Sequence, residues 1–89
     1  MNLRELAKKE IDRIEKIFDN LILLNNSKEV LELIELAKTY FQDSKNFYQK
    51  KDFLRAFEAV VIAWSYIDAG LHLKVFDLPK ELKRYFTVE

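Results

Sequence analysis

Apolar residues recur along this chain at the period of a helix, and the pattern divides it into three long segments and a tail. Ala7, Ile11, Ile14, Phe18 and Leu21 follow a four-three-four-three spacing, the seam of a helix packed in a bundle. Leu3, Leu6, Ile17 and Ile22 widen the stripe, and Lys8, Lys9, Asp12, Arg13, Glu15, Lys16 and Asp19 occupy the other face. This predicts a first helix from about Leu3 to Leu24. Glu5–Lys9 and Asp12–Lys16 are acid-before-base pairs four residues apart, each expected to add a few tenths of a kcal/mol.

The run Leu24-Asn25-Asn26-Ser27 breaks the pattern. Asn26 followed by Glu29 reads as a capping box, with Ser27 as the alternative cap. A second helix is predicted from about Ser27 to Gln49. Its seam is Val30, Ile34, Ala37, Phe41, Ser44 and Tyr48, and Glu29, Glu32 and Glu35 favour its N-terminal end. Asp52 is a good N-cap for a third helix, so the intervening turn is very short and the two helices must be antiparallel.

The third helix, from about Phe53 to Val75, has its inward face at Phe53, Phe57, Val60, Trp64, Ile67 and Leu71. A second apolar line, Ile62, Tyr66 and Leu73 with Ala59 and Ala69, lies on a different side. A helix apolar on two sides is central or shared with a partner. Gly70 lies inside it at a cost of about 1 kcal/mol against Ala, which points to close contact with a neighbouring helix, with a local break there as the alternative. Pro79 suits the first turn of a short tail helix, after which Leu82, Tyr85 and Phe86 can fold back on the core. The expected fold is all-α: a three-helix, up-and-down antiparallel bundle with a short C-terminal helix, a single domain over residues 1–89.

Composition narrows the function classes. Forty-nine per cent of the 89 residues are apolar, so a dense core is available. Size scaling gives about 10,000 Å² buried on folding, roughly 64% of the unfolded surface. Fifteen basic and fifteen acidic residues cancel, leaving no global field for nucleic acid or an anionic membrane. There are no cysteines, which excludes disulfides and thiolate metal sites. The longest unbroken apolar run, Ala59 to Trp64, is far shorter than the ~20 residues of a membrane span. With no apolar leader at Met1–Glu5, a soluble cytoplasmic protein is expected.

Candidate chemistry concentrates on the third helix. Ser65, Asp68 and His72 share a helix face, with Glu58 one to two turns below. Asp and His four apart could orient a general base or supply two metal ligands. His72 is the only histidine, and Ser65 lacks the strained turn and oxyanion hole of a serine nucleophile. The structural alternative pairs Asp68 with a Lys or Arg, or with a backbone N–H, and leaves His72 at the rim. Glu29, Glu32 and Glu35 resemble half of an acidic magnesium site whose second half is missing. Lys45, Lys50, Lys51 and Arg55 form a basic cluster near Phe47, Tyr48 and Phe53. That combination can bind single-stranded nucleic acid, but capping of the helix C-terminus by the lysines, with the aromatics in the core, is the preferred account. No catalytic residue, metal or cofactor is assigned.

Three stretches carry a family resemblance: Tyr40-Phe41-x-Asp43-x-x-x-Phe47, Lys51-Asp52-Phe53-x-x-Ala56, and Ala63-Trp64-x-Tyr66-Ile67-Asp68-Ala69-Gly70-Leu71. Over roughly residues 30–78 they resemble the archaeal family called domain of unknown function 357. The resemblance implies a three-helix bundle and carries no activity, cofactor or catalytic residue. Trp64-Ser65 departs from it, since the family often has a small residue there. Asp68 falls on a polar position that recurs in the family. The function expected is a small non-catalytic protein-interaction or self-associating module, with Ile62, Tyr66 and Leu73 as the buried face of a homodimer or protein complex. A nucleic-acid accessory protein and a metal-dependent enzyme using Glu58, Asp68 and His72 are the alternatives.

Overall fold

In the computed structural model, residues 1–86 are described. They form α1 (Leu3–Asn20), β1 (Ile22–Leu23), α2 (Lys28–Gln49), α3 (Phe53–His72), β2 (Phe76–Asp77) and α4 (Lys80–Lys83). The three long helices are those the periodicity predicts, and they pack as a bundle. Asn2 caps α1 by accepting from the Glu5 N–H at 2.9 Å, and Asp52 caps α3 by accepting from the Arg55 N–H at 3.2 Å. Ser27, not Asn26, caps α2: its Oγ accepts from the Val30 N–H at 3.3 Å, while Asn25 Oδ1 accepts from the Ser27 N–H. Asp12 is engaged by Lys8 at 2.6 Å, on the opposite side from the expected Lys16.

α2 and α3 form the antiparallel hairpin, and α1 lies against it chiefly along α3. The molecule measures 37 × 27 × 18 Å. Its thinnest dimension holds only two layers of helices of ~10 Å each. Ile11, Ile14 and Ile17 of α1, Val30, Ile34 and Ala37 of α2, and Val60, Ala63, Ile67 and Leu71 of α3 meet in one core. Ile17, rather than Phe18, is the fully buried residue of the last α1 turns. The accessible surface is 5889 Å², somewhat above the ~5,500 Å² expected at this mass.

The first helix stops four residues before its predicted end. Ile22 pairs with Asp77 and Leu23 with Phe76 in a short antiparallel ladder, extended by Leu24 donating to the Val75 carbonyl at 2.8 Å. The third helix likewise ends at His72 instead of Val75. The ladder corrects the reading of Gly70: what comes closest to it is Phe76 of β2, not a neighbouring helix. The Phe76 ring lies there, and a Cβ on Gly70 would stand 2.0 Å from its Cδ2. Pro79 takes the position just before α4 rather than inside it. Leu82 is buried, and Asp77 accepts hydrogen bonds from Lys83 Nζ and the Leu78 N–H, both at 2.8 Å. The Lys83 bond first, and the Leu78 N–H second, hold the Asp77 carboxyl below its usual range.

α2 and α3 end in the same way. Lys51 (φ 64°) and Lys74 (φ 59°) are left-handed. Each donates to the carbonyl three residues back, Tyr48 at 3.0 Å and Leu71 at 3.1 Å. The following residues, Asp52 and Val75, donate to Phe47 at 2.9 Å and Gly70 at 3.0 Å. These are Schellman closures with lysine where glycine is usual. A side chain in this conformation costs roughly 1 kcal/mol. Lys51→Gly and Lys74→Gly should each raise the urea midpoint by an amount equivalent to ~0.5–1 kcal/mol; a lowered midpoint would contradict the left-handed assignment.

Candidate functional site

α3 has two flanks beside its buried stripe, and they differ in chemistry. Residues three and four apart share a flank, which places Phe57, Val61, Trp64 and Asp68 on one side and Ile62, Tyr66 and Leu73 on the other.

The first flank faces α1 and the C-terminal segment across a groove of ≈ 320 Å³, lined by Glu10, Arg13, Phe57, Val61, Trp64, Ser65, Asp68, Tyr85 and Phe86. Trp64 is half-buried, with the Phe86 ring centroid 4.8 Å and the Tyr85 centroid 6.4 Å away. Arg13 bonds Glu10 at 3.3 Å and lies over the Tyr85 ring, Cζ 5.3 Å from its centroid. Arg84 approaches the same ring at 5.0 Å and donates to its hydroxyl at 3.1 Å. That hydrogen bond is the main reason the Tyr85 hydroxyl lies below its usual pKa. Two atoms on this flank are sealed from solvent with no hydrogen-bond partner among the described residues: Trp64 Nε1 and Asp68 Oδ1. His72 Nε2 stands 3.6 Å from Asp68 Oδ1, beyond hydrogen-bond distance. No lysine or arginine among the described residues forms an ion pair with Asp68, the partner the structural reading expected.

The tertiary fold brings together only some of the polar residues singled out in the sequence: Asp68 and His72 stand 3.6 Å apart, but they do not share the groove. Ser65 and Asp68 line the groove; Glu58 and His72 do not. Ser65 donates to the Val61 carbonyl at 3.0 Å, the ordinary bond of a hydroxyl inside a helix. Among the described residues, no three His, Cys, Asp or Glu side chains are grouped to hold a metal. The groove also contains residues that sequence reasoning left out: Trp64 as a polar group, Glu10, Arg13, and the ring walls of Tyr85 and Phe86. The four-residue spacing of Trp64 and Asp68 was the one available signal.

The second flank lies beside α2. Tyr66 stacks on Tyr40, with centroids 5.7 Å apart. Around this pair Ile62 is 39% exposed, Leu36 44% and Leu73 69%. The basic cluster is partly engaged within the chain. Lys45 Nζ sits 4.4 Å from the Phe41 ring centroid, and Arg55 reaches Asp52 at 3.7 Å. Lys50 and Lys51 are exposed at the turn.

A two-layer helical bundle with no metal cluster among its described residues, and no helix long and apolar enough to cross a membrane, defines a small all-α protein. Residues 4–76 match the family described as "Protein of unknown function (DUF357)", and the chain belongs to that family. It is similar to the crystal structure of protein AF1782 from Archaeoglobus fulgidus, assigned to the same family. The two are 31% identical with a TM-score of 0.68, covering 86% of this chain and 93% of that one. Comparison with curated proteins finds no match.

Proposed function

We propose that this protein is a non-catalytic interaction module that self-associates through the outer face of the α2–α3 hairpin. The observation carrying this reading is the exposed apolar flank of α3, where Ile62 and Leu73 border the Tyr40–Tyr66 stack. Ile62, Leu36 and Leu73 are all among the exposed large apolar residues, which leaves an apolar surface in water on that side. Zero net charge adds no long-range repulsion between copies.

Size sets the expected strength. Ile62 to Leu73 spans about 16 Å of helix at 1.5 Å per residue. Two helices side by side are ~20 Å wide, so the face offers a footprint of order 300 Å². Stable complexes bury ~800 Å² per partner, so this association is weak. Sedimentation equilibrium from micromolar to millimolar concentration should show a reversible dimer, abolished by Ile62→Lys with Leu73→Lys. A native chain that stays monomeric at millimolar concentration would overturn the proposal.

A further inference from the structure

The groove on the opposite flank of α3 has chemistry that self-association through Ile62 and Leu73 does not use. Asp68 Oδ1 and Trp64 Nε1 form an acceptor and a donor one helical turn apart, both desolvated and both without a hydrogen-bond partner among the described residues. A polar atom sealed from water without a partner carries its full desolvation penalty, so each favours a group that completes its bond. The walls around them are aromatic: Phe57, Trp64, Tyr85 and Phe86. Ring faces attract cations, and the two guanidinium groups already set against Tyr85 show it within this molecule. Of the charged residues lining the groove, Glu10 and Asp68 are acidic and Arg13 is basic. Arg13 is taken up by Glu10. Asp68, whose nearest cationic neighbour is the His72 imidazole 3.6 Å away outside the groove lining, meets no lysine or arginine among the described residues and supplies the acidic charge of the groove.

We propose that this groove binds one lysine or arginine residue of a partner polypeptide. The cationic head donates to Asp68 Oδ1, the carbonyl of the same residue or its neighbour accepts from Trp64 Nε1, and the aliphatic stem lies on the rings. An anionic ligand is disfavoured by the Asp68 carboxylate. A free polyamine satisfies Asp68 but has no acceptor for the indole N–H, which is why a peptide is the occupant. The volume, ≈ 320 Å³, is at the low end of ligand pockets of ~300–1,000 Å³ and suits one long side chain with its peptide unit. Both polar atoms are covered, so binding requires neighbouring side chains to shift, and Trp64, whose ring lies against Tyr85 and Phe86, changes its surroundings.

Trp64 is the only tryptophan, so its emission reads this groove directly. The native chain is titrated with the methylamides of N-acetyl-arginine and N-acetyl-lysine, with the neutral norleucine analogue, and with spermidine. A saturable change with the basic amides is expected, with norleucine amide and spermidine at least tenfold weaker. Asp68→Asn should weaken the basic amides tenfold or more. Nitrogen-edited NMR of the native chain gives a readout that does not depend on any variant folding: the Trp64 indole N–H and the Asp68 and Phe86 amides should move most. The proposal is overturned by no saturable response to either basic amide, by equal affinity for norleucine amide, by spermidine binding as tightly, or by shifts centred on Tyr40 and Leu73. Ile62→Lys with Leu73→Lys should leave the titration unchanged, which separates this site from the self-association face.

Discussion

Gly70→Ala should destabilise this protein by about 2 kcal/mol, the reverse of the effect such a change has in an ordinary helix. Replacing an exposed mid-helix glycine by alanine gains roughly 1 kcal/mol in helix propensity. Gly70 is buried and helical, with no positive φ to protect, so propensity alone forecasts a more stable variant. Tertiary packing reverses the sign. The new methyl would stand 2.0 Å from Cδ2, 2.3 Å from Cε2 and 2.7 Å from Cγ of Phe76. That ring is 2% exposed and its backbone is held in the ladder opposite Leu23. It therefore cannot swing into solvent, and overpacking of this kind costs ~1–3 kcal/mol or more. A melting temperature lower by roughly 10 °C is expected for a domain of this size. Phe76→Ala alone should cost ~3–5 kcal/mol. In that background the added methyl fills space, so Gly70→Ala becomes neutral or stabilising and the pair shows a coupling of ~2 kcal/mol. If Phe76→Ala does not fold, Phe76→Leu serves the same cycle. An unchanged or raised melting temperature for Gly70→Ala in the native background would show that the ring does not cover Gly70.

The second large effect is a contrast between two isoleucines five positions apart on α3. Ile67 is fully buried between the other two long helices, and Ile62 is 39% exposed. Ile67→Ala removes about three methylenes' worth of packing from a core with no room to collapse, at ~2–5 kcal/mol. That is a large share of the ~5–15 kcal/mol typical of a native protein. Ile62→Ala should cost under ~1 kcal/mol in dilute solution, where the face is solvated. At high concentration the gap should narrow, because association adds stability that only the native face can collect. Urea titrations at two protein concentrations check both statements. Equal losses at low concentration would mean that the two flanks of α3 are not distinguished as described.

The groove was half legible. Asp68 stood out in the sequence as a carboxylate deep in apolar residues, and Trp64 sits one turn before it on the same flank. What encloses them comes from elsewhere: Glu10 and Arg13 from α1, Tyr85 and Phe86 from beyond α4. Spacing along one helix places Ser65, Asp68 and His72 together, but it cannot say which of them a distant segment covers. His72 and Glu58 shared the pattern and were left outside.

By itself the sequence determined the three long helices, because a 3.6-residue apolar period over twenty positions admits no other regular structure. It determined the α2–α3 hairpin too, because Asp52 caps a helix immediately after the previous one ends. It also marked α3 as apolar on two sides. The ends of α1 and α3 were settled only in three dimensions. Leu21-Ile22-Leu23-Leu24 is an unbroken apolar run that fits a helix or a strand equally, and its partner Phe76-Asp77 lies more than fifty residues away. The reason for Gly70 was settled there as well, since a ring returning from β2 is invisible to local periodicity. Local period dictates which elements form. Long-range pairing dictates where they stop and what they enclose, because those energies belong to contacts between residues that the chain alone does not bring into register.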